Sequence, residues 1–357
     1  MSWRGLLLTC LGLVSTVIAA NEAASGVTGL LGDVVFNQYA PLSSSAELAR
    51  RLVSPLNARR LQQQAAATGA AIRDQPIDLA QERFALYVPP KAPPGGYALL
   101  VFVPPWNEAK VPPEWIATLQ KQGVILVTAA NIGNDANVLD RREPVALLAA
   151  YNTMSRYRVD PRRVYVGGFS GGSRVALRLA LGYPDLFRGV LLDAGSDVIG
   201  EQIPLPPRDL LYQFQTATRV VYLTGQRDAF HQDADRESRH SLQAWCLSDI
   251  DTQTMPWTGH ELADAASLGR ALASLDIHAQ LDTNQLAACR DRIDRELDSQ
   301  LDQAAHLIDI HDTDGARKWL TKIDTRYGGL AAPRSTELDA RLDGPRKLQA
   351  GHVSHGK

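Results

Sequence analysis

A strand that runs straight into Gly-x-Ser-x-Gly and out into a helix leaves a chain few folds to choose from. Here Val164-Tyr165-Val166 leads into Gly167-Gly168-Phe169-Ser170-Gly171-Gly172, and Ser173-Arg174-Val175-Ala176-Leu177 reads as the start of a helix. Such a strand–turn–helix lifts the serine above the edge of a sheet with its Oγ exposed. Gly168 and Gly172 lie two residues either side of Ser170, where side chains would collide across so sharp a turn. An ordinary glycine-rich βα loop has the same composition, so the weight falls on the flanking strand and helix and on partners elsewhere in the chain.

A serine hydroxyl attacks only when a base takes its proton and a third group orients that base. Arg219-Val220-Val221-Tyr222-Leu223-Thr224 reads as a buried strand and ends in Gly225-Gln226-Arg227-Asp228. An acid just past a strand end lies at the same rim of the sheet as the serine turn. Thr252 to Trp257 reads as the last strand, and Thr258-Gly259-His260 follows it into the next helix. The order serine, acid, histidine is therefore Ser170, Asp228, His260, each directly after a candidate strand. Asp228 is also suited to capping a helix, and Asp233 and Asp235 are nearby alternatives assigned to that helix. Among the other histidines, His231 and His240 precede the last strand, while His278, His306 and His311 fall in charged helical sequence. Solvated helix faces account for them.

With these motifs in place, the stretch Tyr165 to Phe187, including Tyr183-Pro184-Asp185-Leu186-Phe187, resembles the bacterial esterases related to polyhydroxybutyrate depolymerases and feruloyl esterases. Gly225-x-x-Asp228 and Gly259-His260 match the same family's acid and histidine segments. The resemblance spans roughly Gln81 to Leu272. It implies an α/β-hydrolase fold, with a mostly parallel sheet covered by helices on both faces. It also implies serine esterase chemistry without a cofactor or metal.

One segment departs from that family. Where many relatives carry His-Gly after the third strand, this chain reads Val103-Pro104-Pro105-Trp106-Asn107. This loop normally gives one backbone N–H to the oxyanion hole, and the residue after the serine gives the other. Gly171 fits the second role. Pro104 and Pro105 have no N–H, which leaves Trp106 as the first-loop donor or, alternatively, as a packed tryptophan on a rigid turn.

The amino terminus points to location. Arg4 precedes an apolar run from Gly5 to Ala20 that ends in small residues, the pattern of a secretory signal peptide over 1–20, with an uncleaved anchor as the alternative. The mature protein is then expected in the periplasm or outside the cell. There Cys246 and Cys289 either pair or remain as two buried thiols. A formal net charge of -2 gives no reason to expect nucleic acid or an anionic membrane surface as a partner.

The remaining organisation follows from periodicity. An N-terminal extension over 21–80 holds one helix near 45–52, interrupted at Pro55. The catalytic core over 81–275 starts with a first strand at Arg83 to Val88 and alternates strands and helices, as a parallel sheet requires. Leu286, Cys289, Ile293, Leu297, Leu301, Ala305 and Ile308 recur at helical steps in an appendage over 276–345. Gly315 is expected to break that helix before a second one at 316–327. Two such amphipathic helices must cover their apolar faces on the core, on each other or in an oligomer. Ala331-Ala332-Pro333 and a tail over 346–357 read as loosely ordered. Three activities are consistent with these features: hydrolysis of a small or polymer-borne ester, peptide hydrolysis on the same fold, or secreted binding without catalysis.

Overall fold

The computed structural model describes residues 26–277 and 279–343. The expected signal segment, the C-terminal tail and His278 lie outside the described residues. Runs of Val, Leu, Ile and Phe long enough for a strand but too short for a helix become strands buried on both faces. In chain order the first half forms β1 (Gly29–Val34), α1 (Ser45–Leu52), α2 (Pro55–Thr68), β2 (Phe84–Val88), β3 (Tyr97–Val103), α3 (Ile116–Gln122), β4 (Val124–Ala129), α4 (Glu143–Arg156), β5 (Val159–Phe169) and α5 (Gly171–Gly182). The second half forms β6 (Gly189–Asp193), α6 (Arg208–Ala217), β7 (Arg219–Gly225), α7 (Ala229–Ala244), β8 (Ile250–Met255), α8 (Ala265–Leu275), α9 (Thr283–Asp309), α10 (Thr313–Tyr327) and α11 (Arg334–Leu342).

The strands make one eight-stranded sheet in the order β1-β2-β4-β3-β5-β6-β7-β8. β2 pairs antiparallel with both neighbours, and every pairing from β4 to β8 is parallel. Crossover helices fall on both faces, giving two separate apolar layers. Leu119, Leu268 and Leu272 from α3 and α8 cover one face. Leu148, Leu177, Leu211 and Leu297 from α4, α5, α6 and α9 pack in the layer on the other. This is the α/β-hydrolase fold. Its β5 lies in mid-sheet and ends at Phe169, so Ser170 emerges at the C-terminal rim.

Several sequence expectations need correction. The strand at Phe84–Val88 is the second of the sheet, because β1 comes from within the segment read as an extension. Two glycines and a half-exposed edge position hide β1 from a search for buried runs. Pro55 opens α2 at its first turn, where a missing N–H costs nothing. Gly315 lies in the first turn of α10 and donates its N–H to the capping Asp312. The chain turns between α9 and α10 at Ile310 to Asp312 instead. Residues 328–331 form a buried turn that takes in Ala331 of the segment expected to be loose, and α11 follows as a third helix of the appendage.

Cys246 and Cys289 form a disulfide, with Cα atoms 5.9 Å apart. It ties the second residue after the C-terminal end of α7 to the second turn of α9.

Candidate active site

The turn after β5 is as tight as its glycines require. A methyl group on Gly168 would lie 2.3 Å from the Gly172 carbonyl carbon, and one on Gly172 would lie 1.8 Å from the Val103 oxygen. Ser170 sits between them with φ 55° and ψ -122°, a conformation that a non-glycine residue rarely adopts. Its N–H donates to the Asp193 carbonyl at 2.8 Å. The Ser173 hydroxyl donates to the same carbonyl at 2.9 Å. The strain of the turn is thus held by the end of the neighbouring strand.

Ser170 Oγ lies 2.9 Å from His260 Nε2, and His260 Nδ1 lies 2.8 Å from Asp228 Oδ2. The structure therefore brings together the three residues picked out by order along the chain. The carboxylate accepts from Nδ1–H, which leaves Nε2 as the acceptor of the serine proton. Asp228 is 8 % exposed and also caps α7, so both readings of this aspartate hold at once. The neighbouring acids are otherwise engaged. Asp235 accepts from Ser196 and Thr224 in the interior, and Asp233 lies exposed beside Arg236.

The loop carrying His260 is stitched down on both sides. Arg227 N–H donates to the Thr258 carbonyl at 2.8 Å, joining the acid loop to the histidine loop. Beyond His260, the Ala263 N–H donates to Asp193 Oδ2 at 2.9 Å and the Trp115 indole donates to the Ala263 carbonyl at 2.7 Å. Asp193 is fully enclosed, and burial pushes its carboxyl well above the usual carboxylate range.

His231 overturns the reading of it as a solvated helix residue. Three residues after the capping Asp228, its ring folds back and its Nδ1 lies 2.9 and 2.8 Å from the two carboxylate oxygens. It also stacks on His260, with ring centres 4.1 Å apart. Phe169 stacks on the opposite face of His260 at 4.9 Å. Burial pushes the Asp228 carboxyl up, but hydrogen bonds from His231 and His260 outweigh it and hold the group below its ordinary range. The signal in the sequence is the Asp-x-x-His spacing at a helix start, where residues three apart meet. Asp228, His231 and His260 could also present metal ligands, since their ligand atoms lie within 4.8 Å of one another. A metal there would displace the His260–Asp228 hydrogen bond.

Two cavities lie near the site, one along Trp106 and one at the serine turn. One, of about 440 Å³, runs along Trp106, Pro112 and Leu262. The Trp106 ring packs 6.2 Å from Phe102 and 6.4 Å from Phe169, so the indole forms a wall next to the histidine stack. The other cavity, of about 390 Å³, contains Ser170 and Gly171 and is lined by Asn134, Arg142, Arg174 and Asp197. The Asn134 side chain lies directly against Gly171. In the loop after β3, the Pro104 carbonyl accepts from Arg142 Nη2 at 3.0 Å, and the Pro105 carbonyl accepts from the Asn134 N–H at 3.1 Å. The Pro104-Pro105 loop is therefore anchored at both of its proline carbonyls.

Comparison with known proteins gives a limited likeness. No family model matches the chain. Over 53 residues, 15% of this chain, it is 49% identical to a protein of Nocardia uniformis subsp. tsuyamanensis described as "Putative esterase NocK". That stretch spans only 14% of the relative's length. Among solved structures, an α/β-hydrolase enzyme from a Medee basin deep-sea metagenome library shares 14% identity. It covers 57% of this chain and 96% of its own, with a TM-score of 0.43. A ferulic acid esterase shares 14% identity over 54% of this chain and 88% of its own, with a TM-score of 0.39. A puromycin-hydrolysing peptidase of Mycobacterium tuberculosis shares 18% identity over 56% of this chain but 38% of its own, also at 0.39.

Proposed function

We propose that the chain is a serine hydrolase that cleaves carboxylic esters through an acyl-enzyme, with Ser170 as nucleophile, His260 as general base and Asp228 as the orienting acid. The observation that carries this reading is the unbroken hydrogen-bonded line from Ser170 Oγ through His260 to Asp228, set at a strained strand-to-helix turn. Structural serines have no need of such a line or of a backbone held at φ 55°. Ser170 Oγ adds to the ester carbonyl while His260 Nε2 takes its proton. The tetrahedral oxyanion then collapses, the C–O bond to the alcohol breaks, and His260 returns the proton to the leaving oxygen. Water repeats the sequence on the acyl-enzyme and frees the acid and Ser170. In this reading the N–H groups of Gly171 and Trp106 receive the oxyanion, each worth about 3 kcal/mol to the transition state.

The N-terminal run of apolar residues and the paired cysteines support export to an oxidising compartment. The resemblance to depolymerase-like and feruloyl esterases puts hydroxyalkanoate and feruloyl esters in the first substrate panel. Labelling with a fluorophosphonate probe tests the chemistry directly. The wild type is expected to label and to hydrolyse 4-nitrophenyl acetate, and Ser170→Ala and His260→Ala are expected to do neither while retaining the native circular dichroism spectrum. Ester turnover that persists in purified Ser170→Ala would overturn the assignment. Faster cleavage of peptide amides than of any ester would replace esterase by peptidase on the same triad.

A further inference from the structure

The cavity that contains Ser170 and Gly171 is a charged pocket with an unusual internal balance. Three arginines line it, Arg142, Arg174 and Arg178. Arg178 is matched, since its Nε donates to Glu143 Oε1 at 2.6 Å. Arg174 is half matched. Its Nε lies 3.4 Å from Asp197 Oδ1 but is buried without a hydrogen-bond partner. Arg142 is 3 % exposed, and it donates to the carbonyls of Ile132 and Pro104. Among the described residues it forms no ion pair.

Burying a cation on carbonyls alone is costly, because dipoles replace hydration less well than a counter-ion does. Arg142 lies at the end of a π-helical turn, Val138–Arg142, a distortion that often marks functional positions. Arg174 lies in the first turn of α5, next to the nucleophile, with 42% of its side chain exposed to whatever enters. The cavity along Trp106 and Leu262 also takes in Glu108, Lys110 and Glu114. With Glu143 set against Arg178 and Asp197 against Arg174, Arg142 is left with no contact counter-ion among the described residues, only the longer-range attraction of Glu143 and Asp135.

We propose that the ester hydrolysed here carries a carboxylate, received by Arg142 and Arg174 in the cavity beside Ser170. This rests on the serine-hydrolase reading and adds a substrate class to it. A carboxylate suits a planar guanidinium, which grips two oxygens at once. Held there, the anion would fix the ester carbonyl over Ser170.

Paired esters test this by differing only in charge. Monomethyl glutarate against methyl pentanoate puts the carboxylate on the acyl side, and 4-acetoxybutanoate against butyl acetate puts it on the alcohol side. In at least one pair kcat/KM is expected to favour the anion by about tenfold or more, the worth of one charge-assisted hydrogen bond. Salt should erode that preference. Arg174→Gln should reduce it about tenfold, mainly through KM, and Arg142→Gln should act in the same direction if it folds. Equal rates in both pairs, or a preference untouched by Arg174→Gln, would overturn the proposal. Calorimetric binding of the same compounds to Ser170→Ala separates this result from failure of the hydrolase reading. Selective binding of the anion to a protein inert toward every ester leaves the anion site standing and removes the hydrolysis. Hydrolysis without selective binding does the reverse.

Discussion

His260 lies in a stack of three rings, Phe169 on one face and His231 on the other, and two histidines share the carboxylate of Asp228. The stack fixes the plane of the base, and the second histidine fixes the acid. His231→Ala is expected to lower kcat about tenfold with little change in KM, since it removes a hydrogen bond to a charged group without touching the ester. His231→Gln should recover part of that loss. The same substitution has a sign that can be read against pH. In the wild type, hydrogen bonds hold the Asp228 carboxyl below its ordinary range, so its stabilising charge persists to low pH and disappears only as pH falls through that depressed value. Removing the His231 bond raises the carboxyl, so acid unfolding of His231→Ala should begin at a higher pH. Melting of the two proteins as a function of pH measures the shift.

Strand ends and helix starts carry the machinery, and their anchoring is a matter of single hydrogen bonds between elements. Asp193, the last residue of β6, accepts from Ser170 and Ser173 with its backbone and from Ala263 with its side chain. Its carboxyl is raised by burial. The unfolded chain therefore ionises Asp193 in the ordinary range while the native protein keeps it protonated. That difference weakens the native state as pH rises from about 4 toward the raised value. Asp193→Asn escapes it, so the Tm of this variant minus that of the wild type should grow as pH rises from about 4. A second element-scale device is the Cys246–Cys289 disulfide, which closes a sequence separation of 43 residues between α7 and α9. By chain entropy its removal costs about 4 kcal/mol. Denaturant melts of the Cys246→Ser, Cys289→Ser double variant, with the wild type run under oxidising conditions, are expected to show a loss of that order.

At the scale of the whole molecule, the first and last helices of the described residues close over one another on the face that carries α5. Asp324 of α10 accepts the Ser54 hydroxyl at 2.6 Å and the Leu56 N–H at 3.0 Å, at the start of α2. Arg59 of α2 reaches Asp339 of α11 at 3.2 Å and Asp343 just after it at 2.8 Å. The extension and the appendage are thus one layer of helices, with Leu297, Leu301, Leu320 and Ile323 packed in the same apolar cluster as the sheet. Asp324→Ala leaves two buried donors without an acceptor and is expected to destabilise the protein by about 2 kcal/mol. Limited proteolysis should then cut in α2 and α10 while the sheet core survives.

The chain by itself determined the part of this protein that depends on local rules. Glycines at 168 and 172, apolar runs too short for helices, and strand-end residues in the order Ser170, Asp228, His260 follow from backbone sterics and burial, and each is legible one segment at a time. The packing of α9 and α10 was legible as an apolar face, though not what covers it. Only the tertiary structure decided what depends on distance between segments. It brought β1 to the sheet edge, paired Cys246 with Cys289, folded His231 back onto Asp228 and gathered Arg142, Arg174 and Arg178 around one cavity. Arg142 and Arg174 are 32 positions apart and carry no shared motif. A charge pocket has no period and no spacing, because it is the closure of the sheet and its crossover helices that brings its members together.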